Sequence, residues 1–257
     1  YPEPFDFIRD NIDQIGGPMA HNHMPAAWAW AMTTPFQYYK QVASHAGGTR
    51  NGMVVSWPGH VVDPRVVRSQ FLHVSDIAPT IMEAAGITPP SVVDGHKQRP
   101  FDGISFAYTF GNAGAPPKRT ELILETMQNM ALFEDGWMAS SRPEAAPWEI
   151  TTKPMNVAPG DRVWELYDLG RDFSQSNDLA RKYPDRLAAM KAKFFELAAL
   201  NNILPVHGIA DGSLGRPTIS AGRSEFVFKS RLTRLPENTA PVTKGQSFTI
   251  DADVTID

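Results

Sequence analysis

Lys40 is the only charged residue between Asp13 and Arg50. It stands in QYYKQVASHAGGTRNGMVVSWPG, residues 37–59, ahead of a histidine, a Gly-Gly-Thr-Arg turn and an apolar run ending in Trp-Pro-Gly. His21, His23, His45 and His60, four of the seven histidines, fall on or near this stretch. An ammonium is a compact cation with three donors, and beside loop imidazoles it suits an oxyanion such as sulfate or phosphate. The same residues also fit a lysine that reaches into solvent and histidines that bind only loop backbone. Spacing alone leaves both readings open.

The other candidates have plainer explanations. His-Asn-His at 21–23 has the outline of a metal pair. Alternate residues of an extended loop face opposite ways, however, and no carboxylate is near in sequence, so loop hydrogen bonding is the simpler reading. His73 with Ser75-Asp76 reads first as a helix cap and only second as a catalytic pair. The acids of FEDGW and ELYDLGRD, at 133–137 and 165–172, read as turn chemistry and solvated surface. Neither a Gly-rich phosphate loop nor a nucleophile elbow occurs.

The elements that must position these residues alternate in type. FDFIRDNIDQIGGP has apolar residues at 5, 8, 12 and 15, a helical spacing closed by Gly-Gly-Pro. Residues 16–36 hold no clean period and read as an ordered loop. GMVVSW, 52–57, reads as a short buried strand, and 77–85 as a helix capped by Ser75 or Asp76 and stopped at Gly86. SVVDGHKQRPFDGISFAYTF reads as loop followed by a short helix. After the linker GNAGAPPKR at 111–119 come short strands in TELILET, MALFEDGWMASS and DRVWELYDL, with Asp135-Gly136 as a hairpin turn. A long helix follows from Pro184, with Leu187, Met190, Phe194, Leu197 and Leu200 as its apolar face. SEFVFKS and SFTIDADVTI have strand-like patterns. The expected class is therefore α/β: a sheet domain over 1–110, a small subdomain of antiparallel sheet plus helix over 111–204, and a loop and strand tail over 205–257.

Composition sets the outer bounds. The chain has 257 residues, a net charge of -4, 42% hydrophobic residues and no cysteine. Nucleic-acid or anionic-membrane binding driven by bulk charge is not expected, and no run approaches the roughly 18 apolar residues of a membrane span. Disulfides, zinc-thiolate sites and cysteine nucleophiles are excluded within these residues. The starting YPEPFDFIRD lacks both a methionine and a targeting pattern, and the final QSFTIDADVTID stops in strand-like alternation, so a fragment is expected. The compartment is not legible.

At this point the residues resemble a known family. YYKQVASHAGGTRNGMVVSWPG is similar to the Lys-x-x-x-x-His-x-Gly-Gly-x-Arg-x-Pro-x-x-x-x-Trp-Pro-x-Gly stretch of the type I sulfatases, arylsulfatases of the alkaline-phosphatase-like superfamily. FLHVSDIAPTIMEAAGITPP and VWELYDLGRDFSQSNDLARKYPDRLAAMKAKF resemble two later family motifs, in the right order. DNIDQIGGPMAHNHMPAAWAWAMTTPF resembles the large bacterial arylsulfatases in particular.

The resemblance implies that residues 1–110 are the C-terminal part of an alkaline-phosphatase-like mixed sheet, followed by the small subdomain. It makes Lys40 the catalytic, sulfate-binding lysine. His45, with His21, His23 and Trp28, would meet substrate, and His45, Gly47, Gly48 and Arg50 would hold the loop. A complete family enzyme uses calcium and a formylglycine made from Cys or Ser in Cys/Ser-x-Pro-Ser-Arg. Its hydrate attacks sulfur, the alcohol leaves and sulfate is then eliminated, with Lys40 stabilising charge. This chain has no cysteine, no Ser-x-Pro-x-Arg and none of the family's paired calcium aspartates, and Ala46 and Asn51-Gly52 depart from the usual Glu and x-Pro. The expected function is thus the C-terminal portion of a sulfuric ester hydrolase, inactive by itself. Its expected partners are a sulfate ester and either the missing N-terminal part or a second copy. A non-catalytic binding or oligomerisation module, or a phosphatase or phosphodiesterase relative, is the alternative.

Overall fold

The computed structural model describes residues 5–18, 24–146, 149, 157–206, 220, 222–228, 235, 240–241, 243 and 247–253. The chain divides into two compact units, Tyr1–Gly208 and Ile209–Asp257. In the second unit the described parts of the two expected strands, 224–228 and 247–253, carry no strand pairing.

The first unit opens with helix α1, Phe5–Asp10, and a 3-10 turn, Ile12–Gln14, so the helical spacing of this stretch is realised in two pieces. A loop was expected over 16–36, but it contains helix α2, Ala26–Thr33. Its sequence AAWAWAMT is made of helix-compatible residues that are apolar all round, and such a helix leaves no amphipathic period to detect. Helix α3, Ala46–Thr49, is a single turn. Residues 52–57 are extended but unpaired, and Val54 is 93% exposed. A strand needs a neighbour, and a parallel neighbour must come from a crossover connection that the described residues do not supply.

Helix α4, Ile77–Ala84, starts from a 3-10 turn, Val74–Asp76. The cap here differs in detail from the expected one. His73 Nδ1 accepts from the Ser75 amide and the Asp76 carboxylate accepts from the His73 amide, so His73 caps the 3-10 turn that leads into α4 and Asp76 closes the capping box. A two-residue ribbon follows, β1 (Val92–Val93) and β2 (His96–Lys97), turning at Asp94-Gly95 inside a stretch read as loop. Helix α5 spans Tyr108–Gly111.

The main sheet has strands β3 (Glu121–Thr126), β4 (Asn129–Glu134), β5 (Trp137–Ser141) and β6 (Trp164–Asp168), antiparallel throughout and in sequence order. Two-residue turns close both hairpins, with positive φ at Met127 and Gln128 and at Asp135 and Gly136, the twist-matched geometry for such loops. One face carries the cross-strand row Ile123, Leu132, Ala139, Leu166 and receives helix α6, Pro184–Leu200, through Met190, Phe194 and Ala198. The apolar stripe of α6 departs from expectation at its end. Ala198 is buried and Leu200 is 71% exposed, because 190, 194 and 198 follow the four-residue ridge. The other face carries the row Leu122, Phe133, Met138, Tyr167, with Phe71 stacked on Phe133 at 3.7 Å between ring centroids. Helices and an antiparallel sheet together confirm the α/β class. No helix among the described residues is long and apolar enough to cross a membrane.

Candidate functional site

The second face of the sheet also receives the Lys40 loop. Tyr38 and Gln41 both adopt positive φ, 63° and 83°, so the chain turns tightly on each side of Lys40 and leaves its side chain exposed. Ion pairs among the described residues do not include Lys40. The ammonium is therefore held on a shaped backbone with no counter-ion among the described residues.

Helix α3 folds back against this turn. The Gly47 amide donates to the Gln37 carbonyl at 3.2 Å. A Cβ built on Gly47 would overlap the carbonyl oxygens of Gln37 and Tyr38, and one on Gly48 would overlap that of Val42. Backbone packed on backbone explains why two adjacent glycines stand here. Arg50 lies over the rings of Phe36 and Phe173, at 5.4 and 5.6 Å from their centroids, and ties the far end of α3 to the 172–177 loop.

His45 is fully buried, and both its ring nitrogens are engaged. Nε2 lies 3.1 Å from Glu165 Oε2, and Nδ1 lies 2.9 Å from Ser44 Oγ. A carboxylate only accepts, so Nε2 carries a proton and donates to Glu165, while Nδ1 shares a hydrogen bond with the Ser44 hydroxyl. The imidazole is closed to a ligand here and joins the loop to strand β6. Glu165 also accepts from Arg142 at 2.7 Å and from the Tyr167 hydroxyl at 3.0 Å. Burial works against its charge, but the hydrogen bonds from His45, Arg142 and Tyr167 prevail and hold its carboxyl down at about 2. Burial and the neighbouring Glu165 charge push the phenols of Tyr38 and Tyr167 up, so both stay neutral. The reading of Glu165 as solvated surface is thus corrected. In β6, Trp164 and Leu166 face α6 while Glu165 and Tyr167 face the loop, and all four are buried.

Gln175 supplies the second link. Its Oε1 accepts from the Ala46 amide at 2.6 Å, its Nε2 donates to Ser140 Oγ at 3.1 Å, and its backbone carbonyl accepts from Gln37. Asn129 Nδ2 adds a bond to the Gln41 carbonyl at 3.2 Å. None of Glu165, Gln175 and Asn129 was legible as part of this site. The one available signal was Trp-Glu-Leu-Tyr, a strand whose residues alternate but leave no position suited to solvent.

The remaining candidates separate from this cluster. Trp28 is 66% exposed on α2. Its neighbour Trp30 is the one that meets the turn, with ring centroids 5.5 Å from Tyr38 and 6.2 Å from Tyr39. His21 and His23 lie outside the described residues. His60 stacks on Trp57 at 3.9 Å. Asp76 is buried and paired with Arg119, and it also accepts from the His73 and Ile104 amides. Burial raises its carboxyl and these partners lower it, with a net downward shift, which is the behaviour of a structural hub. Among the described residues no three His, Cys, Asp or Glu side chains gather as a metal site.

Residues 7–87 match the family model described as Sulfatase. An uncharacterized sulfatase of Schizosaccharomyces pombe is 26% identical over 190 residues, covering 72% of this chain and 31% of the relative. The crystal structure of Ps i-CgsB is 20% identical with a TM-score of 0.49, covering 70% of this chain and 35% of that one. A putative sulfatase from Bacteroides thetaiotaomicron VPI-5482 is 20% identical with a TM-score of 0.32, over 49% of this chain and 24% of that one. The chain thus spans about a third of the length of the curated relative.

Proposed function

We propose that this chain is part of a sulfatase, on the match of residues 7–87 to that family model, and that it contributes the cationic edge of a sulfate-ester site, with Lys40 as the group that meets the sulfate. The observation that carries this reading is the exposed ammonium on a turn fixed from both sides and lacking a counter-ion among the described residues. A fixed cation stabilises negative charge as it moves from sulfur towards the leaving oxygen, and a preset position spares reorganisation in that step. His45, Gly47, Gly48 and Arg50 serve by holding the turn.

The nucleophile and any metal come from outside this set of residues. No cysteine is present, no Ser-x-Pro-x-Arg occurs, and the described residues hold no calcium cluster, so no step is routed through a metal here. The chain by itself is proposed to be catalytically incomplete. A further polypeptide segment is proposed to cover Val54 and the open apolar cleft of about 660 Å³ between residues 53–57 and α4, lined by Met53, Val55, Trp57, Ile77, Ile81 and Phe110. An unpaired extended segment flanked by such a surface is a template for strand addition or association.

The test is inorganic sulfate titrated against the 257-residue chain and its Lys40→Ala variant at matched ionic strength, with hydrolysis of a chromogenic aryl sulfate assayed alongside. The expected results are sulfate binding by the parent, loss of it in the variant, and no turnover by either. Equal sulfate affinity in both proteins sinks the assignment of Lys40, and turnover by the chain alone overturns its incompleteness.

A further inference from the structure

The Lys40 turn is gripped by one residue on both of its sides, and that residue belongs to neither the turn nor the strands. Gln175 is 1% exposed and has φ +59 in the loop after β6. Its carbonyl takes the Gln37 carboxamide three residues before Lys40, and its Oε1 takes the Ala46 amide six residues after it. Its Nε2 reaches Ser140 in the middle of the sheet. Helix α3 has no capping bond from its own N-cap, His45, so its first amide is satisfied by Gln175, 129 residues away in sequence. The Gln175 loop is itself tied. The Asp172 carboxylate accepts from the Ser176 and Asn177 amides and from the Ser174 hydroxyl, and the Gln175 amide donates to the Asp172 carbonyl.

We propose that Gln175 is a positioning residue for Lys40: it transmits the position of the antiparallel sheet to the turn that carries the sulfate-binding cation. This rests on the reading of Lys40 given above. The bridge is neutral, buried and fully used at both ends of its carboxamide, so loss of either end leaves a buried polar group unpaired. It fixes the turn at residues 37 and 46, and Asn129 fixes it at Gln41. Only the Lys40 side chain is left to reach outward. Displacing a charged group by about 1 Å is enough to weaken a preorganised site.

The experiment uses the full chain with its lysines ¹³C-dimethylated, the Lys40 resonance being assigned by its absence in Lys40→Ala. Sulfate affinity is read from that resonance, and amide hydrogen exchange is read at Ala46 and Gly47. Two variants are compared with the parent. Gln175→Met keeps the volume and removes the carboxamide, and Ser140→Ala removes only the sheet end of the bridge. Gln175→Met is expected to weaken sulfate binding about tenfold and to speed exchange at both amides, with Ser140→Ala smaller in the same direction. A lowered melting temperature with unchanged sulfate affinity of the folded protein would mean a purely structural glutamine and overturns the proposal. If the parent shows no sulfate-dependent shift at Lys40, the reading of Lys40 fails. Exchange at Ala46 and Gly47 then decides the anchoring by itself: unchanged rates in Gln175→Met overturn it, and faster rates sustain it.

Discussion

The main sheet and the stretch 52–87 are both rich in Val, Ile, Leu, Met and Phe, yet they reach opposite states. Strands β4, β5 and β6 bury residues on both faces, against α6 on one side and Phe71 with the Lys40 loop on the other. In the second stretch Val54, Val67, Ile81 and Ile87 stay exposed. The difference lies in where each element finds its neighbour. Hairpins supply antiparallel partners within two residues, whereas an isolated extended segment depends on partners that arrive from far along a chain or from another one. Apolar content therefore marks what is to be buried, and connectivity decides whether these residues can bury it themselves.

The largest expected effect breaks this comparison at its strongest point. Phe194→Ala removes a fully buried ring from between α6 and the sheet and should cost about 3–5 kcal/mol in a urea unfolding series, whereas Val54→Ser should stay within about 0.5 kcal/mol and reduce self-association in light scattering. Comparable losses from the two would mean that residues 52–57 are buried in the protein as it exists in solution. Next is Gly47→Ala. The added methyl meets backbone carbonyls that cannot rotate away, so the loop must leave its seat, at a cost of about 3 kcal/mol by the same measurement. A neutral result would mean that α3 does not pack on residues 37–38 as described.

Glu165→Gln tests the joint between the sheet and the Lys40 loop and is expected to cost about 2 kcal/mol at neutral pH, since it weakens charge-assisted bonds to Arg142 and His45. The pH dependence has a definite sign. The folded carboxyl is held at about 2, below its ordinary value, so its contribution is present above the unfolded value near 4.5 and is lost as pH falls towards 2. The variant should therefore be less stable than the parent at pH 7 and converge on it at low pH. A constant difference across that window would remove Glu165 as the source. The smallest effect on stability is expected from Lys40→Ala, within about 0.5 kcal/mol by thermal unfolding, because its side chain is exposed and has no ion pair among the described residues. A large loss would make Lys40 a structural residue.

The antiparallel sheet was legible because its signals are local. TELILET and MALFEDGWMASS alternate over a few residues, and Asp135-Gly136 marks a turn that only certain residue types accept. Helix α6 was legible from its length and from Pro184 in its first turn. Helix α2 was not, because AAWAWAMT has no polar side to give a period, and the Met127-Gln128 turn carries no glycine to announce it. At the candidate site Lys40 stood out by its isolation in charge. His45 was read both as a substrate contact and as part of the turn that holds the loop, and its surroundings are those of a buried link. Glu165 was read as surface for the complementary reason: a carboxylate in a strand is ordinarily solvated, and only the arrival of a histidine and an arginine from elsewhere makes its burial favourable.

The sequence by itself determined the class of elements and the antiparallel hairpins, and it singled out Lys40, the residue on which the proposed anion site centres. Each of these depends on side-chain chemistry within a few positions. Only the tertiary structure decided how that residue is held. The Lys40 turn is fixed by Glu165, Gln175 and Asn129, which sit 88 to 138 residues from their partners. Their carboxylate and carboxamides are ordinary polar groups until packing removes water from around them. Once buried, each must find a partner, and that requirement joins the turn to the sheet.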